Sequence, residues 1–380
     1  MTPMPSPPLR ILFVNRMACL ERGGGETFDL EISRCLASMG VQITYLSGAP
    51  LFSAPPLPLP DATCLHTPWL RRFPWDKVRG GWRVRQAEFD WFQRRAARWI
   101  ARRPGCWDVI QICELPELVC HLKRAAYPTP LVMRLTAPNY YDPHGGVEKA
   151  DALIASGTSI QKMRANGLTR VHDIPNAVDP DLFKPQPSAF RADRAIPPTD
   201  TVAVYAARFQ AFKNHDMLLR AFALHLRDCP ASRLVLAGDG PLRPRCEALA
   251  AELGIAPRVH FLGAVPYPEL PAILAAADLA VVSSDYESFC FFAIEAMATA
   301  LPVLTTDCGW VPRLVADGAG LVTPVSDPAP FAAAWTRLAT DAPLRQRLGA
   351  TARSLVLSRH TWTSSAQKLL ALYRTLVPAS

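Results

Sequence analysis

The sequence predicts an α/β protein of two domains, each a doubly wound parallel sheet. Two observations carry that prediction. Short β-branched or apolar runs alternate with helically periodic stretches through both halves of the chain, which is the pattern of βα repeats. A chain of 380 residues with 49% hydrophobic content is also too long for one small core, and a Pro-rich polar stretch from Phe183 to Asp200 interrupts the alternation near its middle.

In the first half, strands are expected at Arg10–Asn15, Gln42–Leu46, Asp108–Ile112, Leu131–Leu135, Ala152–Ala155 and Val171–Ile174. Helices are expected at about Glu26–Met39, Trp82–Arg102, Pro116–Ala125 and Ser159–Asn166. The second half repeats the scheme, with strands at Val202–Ala206, Arg233–Ala237, Arg258–Leu262, Leu279–Val282 and Pro302–Thr305. Its helices fall at Asn214–Arg227, Leu242–Leu253, Tyr267–Ala276 and Phe291–Thr299, and three more follow at Pro328–Ala339, Pro343–Leu357 and Trp362–Leu376. The expected division is a first domain over 1–183, a linker over 184–200, a second domain over 201–360, and a helix over 361–380 packing back across the domain boundary. Ligands of such sheets bind beyond the carboxyl ends of the strands.

Composition narrows the class. The opening Met-Thr-Pro-Met-Pro-Ser-Pro-Pro has no basic region followed by an apolar stretch, and the apolar segment 289–304 is broken by Glu295, so a cytoplasmic protein without a membrane span is expected. The 10 cysteines are scattered without zinc spacing and read as reduced, mostly buried residues. The net charge of +8 is concentrated in 69–103, where eleven basic residues face three acidic ones. No nucleic-acid recognition motif accompanies that charge, so nucleic acid is not expected as a partner.

The strongest chemical signal runs from Ser284 to Met297. A strand ends, Glu287 sits in the following loop, a helix begins near Phe291, and Glu295 lies one turn in. Two carboxylates there can accept hydrogen bonds from sugar and ribose hydroxyls, while amides at the helix start attract a diphosphate. A lone Glu on an apolar helix can instead be a cap or an ion-pair partner, although a buried carboxylate needs a partner or a ligand in either case. Arg208 and Lys213 flank an earlier strand-to-helix turn and supply the positive charge that a departing diphosphate needs. Solvation at the surface is the plainer reading for either cation alone.

These segments in their order resemble glycosyltransferase family 4, the large retaining family with the two-lobed GT-B fold of glycogen synthase. The resemblance is carried by Gly23-Gly24-Gly25-Glu26, by Ile174 to Asp179 with Phe183, by Arg208 with Lys213, by Leu236 to Pro241, by Val259 to Gly263, by the Glu287/Glu295 pair and by Asp317-Gly318. It covers nearly the whole chain. It implies a hexosyltransferase that uses a nucleoside-diphosphate sugar and no cofactor, with Arg208 and Lys213 on the diphosphate, Glu287 on the sugar and Glu295 on the ribose. The amides of Phe289, Cys290 and Phe291 would face the sugar and phosphates, the turn at Val265 the base, and Gly23 and Gly24 the phosphate and acceptor.

The chain departs from the family pattern at several points. Ala177, Ser288 and Cys290 replace usual glycines, Trp310 and Arg313 stand where Gly and Glu are favoured, and Arg134-Leu135-Thr136-Ala137 replaces a segment that often carries a His. No general base is therefore assigned. Asp179-Pro180-Asp181 has a metal-binding form, but it lies in a segment where Asp and Pro fit a turn, and no metal is expected. A sugar-nucleotide epimerase of the same fold and a catalytically silent sugar-nucleotide-binding partner remain as alternatives.

The acceptor clue is the segment 69–103. Arg and Trp at helical spacing suit an anionic bilayer or a phosphate-bearing lipid carrier. They equally suit the solvated face of a helix whose Trp91, Phe92 and Trp99 pack inward.

Overall fold

The computed structural model describes residues 8–21, 24–59, 61–68, 81–135 and 142–377. Gly23, residues 69–80 and the Thr136-Ala137 pair lie outside the described residues. The chain divides into two compact units, one formed by Met1–Pro175 with Trp362–Ser380 and the other by Asn176–Thr361.

The first unit is built on seven parallel strands: β1 (Arg10–Val14), β2 (Gln42–Pro50), β3 (Ala62–Thr67), β4 (Val109–Cys113), β5 (Leu131–Arg134), β6 (Ala152–Ala155) and β7 (Val171–Asp173). Their order is β3-β2-β1-β4-β5-β6-β7. β1 is central, with Leu12 opposite Thr44 on one side and Ile110 on the other. Its run Ile11-Leu12-Phe13 is fully buried, as a strand covered on both faces requires. Helices Gly24–Ser38, Gly81–Ala101, Pro116–Arg124 and Thr158–Ala165 join the strands.

The second unit has six parallel strands: β8 (Thr201–Ala206), β9 (Ser232–Ala237), β10 (Val259–Gly263), β11 (Leu279–Val282), β12 (Val303–Thr306) and β13 (Gly320–Thr323). Their order, β10-β9-β8-β11-β12-β13, reverses direction between β8 and β11. The crevice beyond the carboxyl ends of those two strands is where such a sheet opens to a ligand.

Two boundaries differ from those the sequence predicts. Residues 184–200 belong to the second unit, because the Arg191 guanidinium donates to Asp278 Oδ2 at 2.7 Å and to the Ala276 carbonyl at 2.7 Å, and Phe183 is fully buried in that unit's core. Proline removes backbone donors from this stretch, yet side-chain anchors fix it. The chain instead passes between units at Pro175 and again at Thr361. The helix Trp362–Leu376 is part of the first unit: Trp362 meets Phe28 edge-on at 5.8 Å, Ser365 Oγ donates to the Pro175 carbonyl at 2.8 Å, and the Tyr373 hydroxyl donates to Gln111. Among the described residues no helix is long and apolar enough to cross a membrane.

Candidate functional site

The second unit gathers most of the sequence-selected residues at its switch point. β8 ends at Ala206 and hands the chain to Arg208, while β11 ends at Val282 and hands it to Glu287. The two loops are stitched together: Ser283 Oγ donates to the Lys213 carbonyl at 2.9 Å, the Asp285 amide donates to the Phe212 carbonyl at 2.8 Å, and Asn214 Nδ2 donates to Asp285 Oδ1 at 2.8 Å. Asn214 holds a left-handed φ of 49° and caps the helix His215–Asp228 by accepting from the Met217 amide. Asn tolerates that conformation and supplies the capping oxygen at once.

Lys213 and Glu287 form a tight pair, Nζ to Oε1 at 2.6 Å. The same oxygen accepts from Ser284 Oγ at 2.8 Å, and that hydroxyl shares a 2.8 Å hydrogen bond with the Tyr205 hydroxyl. Glu287 is only 6% exposed, so its charge depends on these partners. Its carbonyl is fixed too, because the Trp310 amide donates to it at 3.2 Å and a Cβ on Gly309 would lie 1.8 Å from it. Gly309 also has φ +60°, so this glycine permits the close approach that seats Glu287.

Beyond Glu287 the chain turns through Cys290, at a left-handed φ of 75°, into the helix Phe291–Ala298. Phe289 is buried against Phe291 and His360, which fixes the approach to the helix. Burial pushes the Cys290 thiol well up from its ordinary range, so it is neutral. Glu295 is buried one turn into that helix; desolvation raises its carboxyl from 4.5 to about 7, partly opposed by a hydrogen bond from Tyr267.

A cavity of about 510 Å³ opens beside these groups, at the ends of β8, β9 and β10. Its walls include Arg208, Gly238, Asp239, Val265 and Tyr267. Arg208 and Val265 thus line it directly, whereas Glu295 reaches it through Tyr267, and Lys213, Glu287, Phe289, Cys290 and Phe291 are not part of its wall. Arg208 is exposed and has no ion pair or side-chain hydrogen bond among the described residues. Gly238 has φ +142°, and a Cβ there would lie 2.0 Å from the Ala207 carbonyl.

Sequence reasoning did not single out Tyr267, Asn214, Ser284 or Gly309 as functional. Tyr267 lies between Pro266 and Pro268 and reads only as a helix start, while a Ser just after a strand and a Gly in a loop carry no individual signal. His215, buried and stacked on Phe209 at 4.1 Å, is held neutral, its pKa lowered to about 4 by burial and by the neighbouring Lys213 charge.

In the first unit Gly24 is exposed at the start of the helix Gly24–Ser38. Arg134, at the end of β5, is buried under that start, with its guanidinium 3.9 Å over the Phe28 ring and donating to the Gly25 carbonyl at 3.1 Å. Asp179 accepts from the amides of Asp181 and Leu182, so its carboxylate closes the turn.

Residues 188–355 match the family model described as glycosyl transferases group 1. A D-inositol 3-phosphate glycosyltransferase of Stackebrandtia nassauensis is 32% identical over 353 residues, covering 88% of this chain and 78% of that protein. The chain belongs to the group 1 glycosyltransferases. A second relative bearing the same name, from a Nocardioides species, is 36% identical over 250 residues, 60% of this chain and 54% of its own. The fold of this glycosyltransferase is that of sucrose-phosphate synthase from Thermosynechococcus elongatus (TM-score 0.79, 21% identity, 98% of this chain and 100% of that one). It is also that of Anabaena HepE in complex with UDP (TM-score 0.75, 19% identity, 97% and 100%). The fold is the GT-B architecture, and the family model and the named relatives are glycosyltransferases, which gives the epimerase alternative no support.

Proposed function

We propose that this glycosyltransferase moves a hexosyl group from a nucleoside-diphosphate sugar to an acceptor hydroxyl, retaining anomeric configuration and using no metal. The observation that carries the reading is the convergence, at one switch point, of an unpaired Arg208 at a cavity mouth with the Lys213–Glu287 pair and the start of the helix bearing Glu295. A nucleoside diphosphate fits that order: the base near Val265, ribose hydroxyls on Glu295, phosphates between Arg208, Lys213 and the amides of 289–291, and the sugar on Glu287. Preorganised cations next to a leaving diphosphate lower the barrier because they need no reorganisation as charge develops.

With retention by front-face substitution, a departing phosphate oxygen takes the acceptor proton, so no side-chain base is required and positioning supplies much of the rate. Solved HepE structures hold UDP and UDP-glucose, which makes uridine nucleotides the first donors to try. The acceptor is proposed to be a saccharide, a lipid-linked group or a phosphate-bearing molecule; the inositol phosphate named for the relatives is of the last kind.

A thermal-shift screen across nucleotide sugars tests donor binding, since a ligand of the folded state raises the melting temperature. Nucleoside diphosphate release with and without acceptor then separates a transferase from a silent binder. No shift with any nucleotide sugar would remove the basis for the assignment.

A further inference from the structure

We propose that the outward face of the helix Gly81–Ala101, with the adjoining rim of the first sheet, docks the protein electrostatically on an anionic phospholipid bilayer. This goes beyond the donor chemistry and does not depend on it. At 3.6 residues per turn, Arg83, Arg94, Arg98 and Arg102 fall on one side, and all four are exposed. Arg95, also exposed, lies over the Trp91 ring at 4.7 Å. The helix has two acids: Glu88 is buried against Arg16 and Thr67, while Asp90, which accepts from Gln86 Nε2 at 3.1 Å, lies one turn before Arg94 on the same side, a single acid among the arginines. Among the described residues these arginines form no ion pair.

The helix start and the neighbouring strand end add exposed apolar side chains. Pro50 at the end of β2 pairs with Thr67 at the end of β3, and Thr67 Oγ1 donates to Glu88 at 3.1 Å. Glu88 lies about 9 Å along the helix from Trp82. Leu51 and Phe52 follow directly on that end of β2, and Trp82 and Val84 lie in the first turn of the helix; all four are exposed. Phe52 is 94% exposed and Trp82 63%, unusual for such large rings.

The structure also decides the mode of contact. An interfacial helix inserts its apolar side, but here Phe92, Ala96 and Ile100 are fully buried in the core of the unit. Insertion would expose that core, so the contact is a surface one, made by arginine charge with shallow aromatic anchors. Such contact is screened by salt, because the Debye length falls to about 3 Å at 1 M.

The test is co-sedimentation of the full chain with phosphatidylcholine vesicles, with and without phosphatidylglycerol. Binding is expected only to the anionic vesicles and is expected to vanish at about 1 M salt. Each basic residue near such a surface strengthens partitioning about fivefold, so the triple variant Arg94→Gln, Arg95→Gln, Arg98→Gln should bind about a hundredfold more weakly. Phe52→Ser with Trp82→Ser should weaken binding without altering its salt dependence. Circular dichroism checks that both variants fold, as their exposed positions lead one to expect. Absence of binding, equal binding to neutral vesicles, persistence in high salt, or equally tight binding of duplex DNA would each overturn the proposal.

Discussion

Glu295→Gln is the perturbation that most directly probes the site. Burial raises the Glu295 carboxyl from 4.5 to about 7, so the folded protein holds its proton more tightly than the unfolded chain does. Between those two values the native state binds more protons than the unfolded state, and stability therefore falls as pH rises through the window. Above about pH 7 the full penalty applies, roughly 3 kcal/mol at about 1.4 kcal/mol per unit. Gln keeps the shape and the acceptor for Tyr267 but cannot ionise. The variant should come within about 1 kcal/mol of the wild type near pH 5 and exceed it by about 3 kcal/mol near pH 8.

Urea unfolding followed by circular dichroism at the two pH values gives the comparison. Donor binding reverses the sign: ribose hydroxyls that donate to the carboxylate select its charged form, so wild-type affinity should strengthen as pH rises towards 7, and the variant should bind weakly and without that slope. A stability gain no larger at pH 8 than at pH 5 would refute the desolvated-carboxylate reasoning.

Lys213→Ala should cost about 3 kcal/mol or more, since it leaves Glu287 charged and buried, and adding Glu287→Gln should restore much of the loss without restoring turnover; unfolding and product release measure the two effects separately. Gly309→Ala, with a Cβ 1.8 Å from the Glu287 carbonyl and a left-handed φ, should destabilise by about 2 kcal/mol or more and weaken donor binding, read by calorimetry. Arg208→Ala should leave stability within about 0.5 kcal/mol, because the side chain is exposed and unpaired, yet weaken nucleoside diphosphate binding at least about tenfold; equal binding would remove Arg208 from the site.

Most of this fold was legible because both sheets are buried on their two faces, so strands such as Ile11-Leu12-Phe13 and Leu279–Val282 stand out as uninterrupted apolar runs. The two strands that went unrecognised, β3 and β13, are edge strands without such a run: Ala62–Thr67 carries Thr and His, and in Gly320–Thr323 only Thr323 is buried. The misplaced boundary has a similar cause. Proline content signals a break in local structure, but it cannot show that Arg191, through long-range hydrogen bonds, ties that stretch to one unit. At the site, spacing identified the acids and cations. Their partners were less visible: Tyr205 and Tyr267 come from another strand and another turn, and Ser284, three residues before Glu287 in the same loop, has no individual signal.

The sequence treats Arg208 and Lys213 alike, as two cations around one turn, and the structure separates them. Lys213 already has a carboxylate at 2.6 Å, and its ammonium is held in one position before any ligand arrives. Arg208 is exposed at the cavity wall with no such restraint. A fixed charge contributes to the transition state without loss of side-chain entropy, whereas a free guanidinium offers planar, bidentate donors that can follow a phosphate as it enters. Loss of Lys213 should therefore depress turnover more than ground-state affinity, and loss of Arg208 should do the reverse. The two variants, compared for kcat against KM on the same donor, distinguish a divided site from one in which the cations are interchangeable.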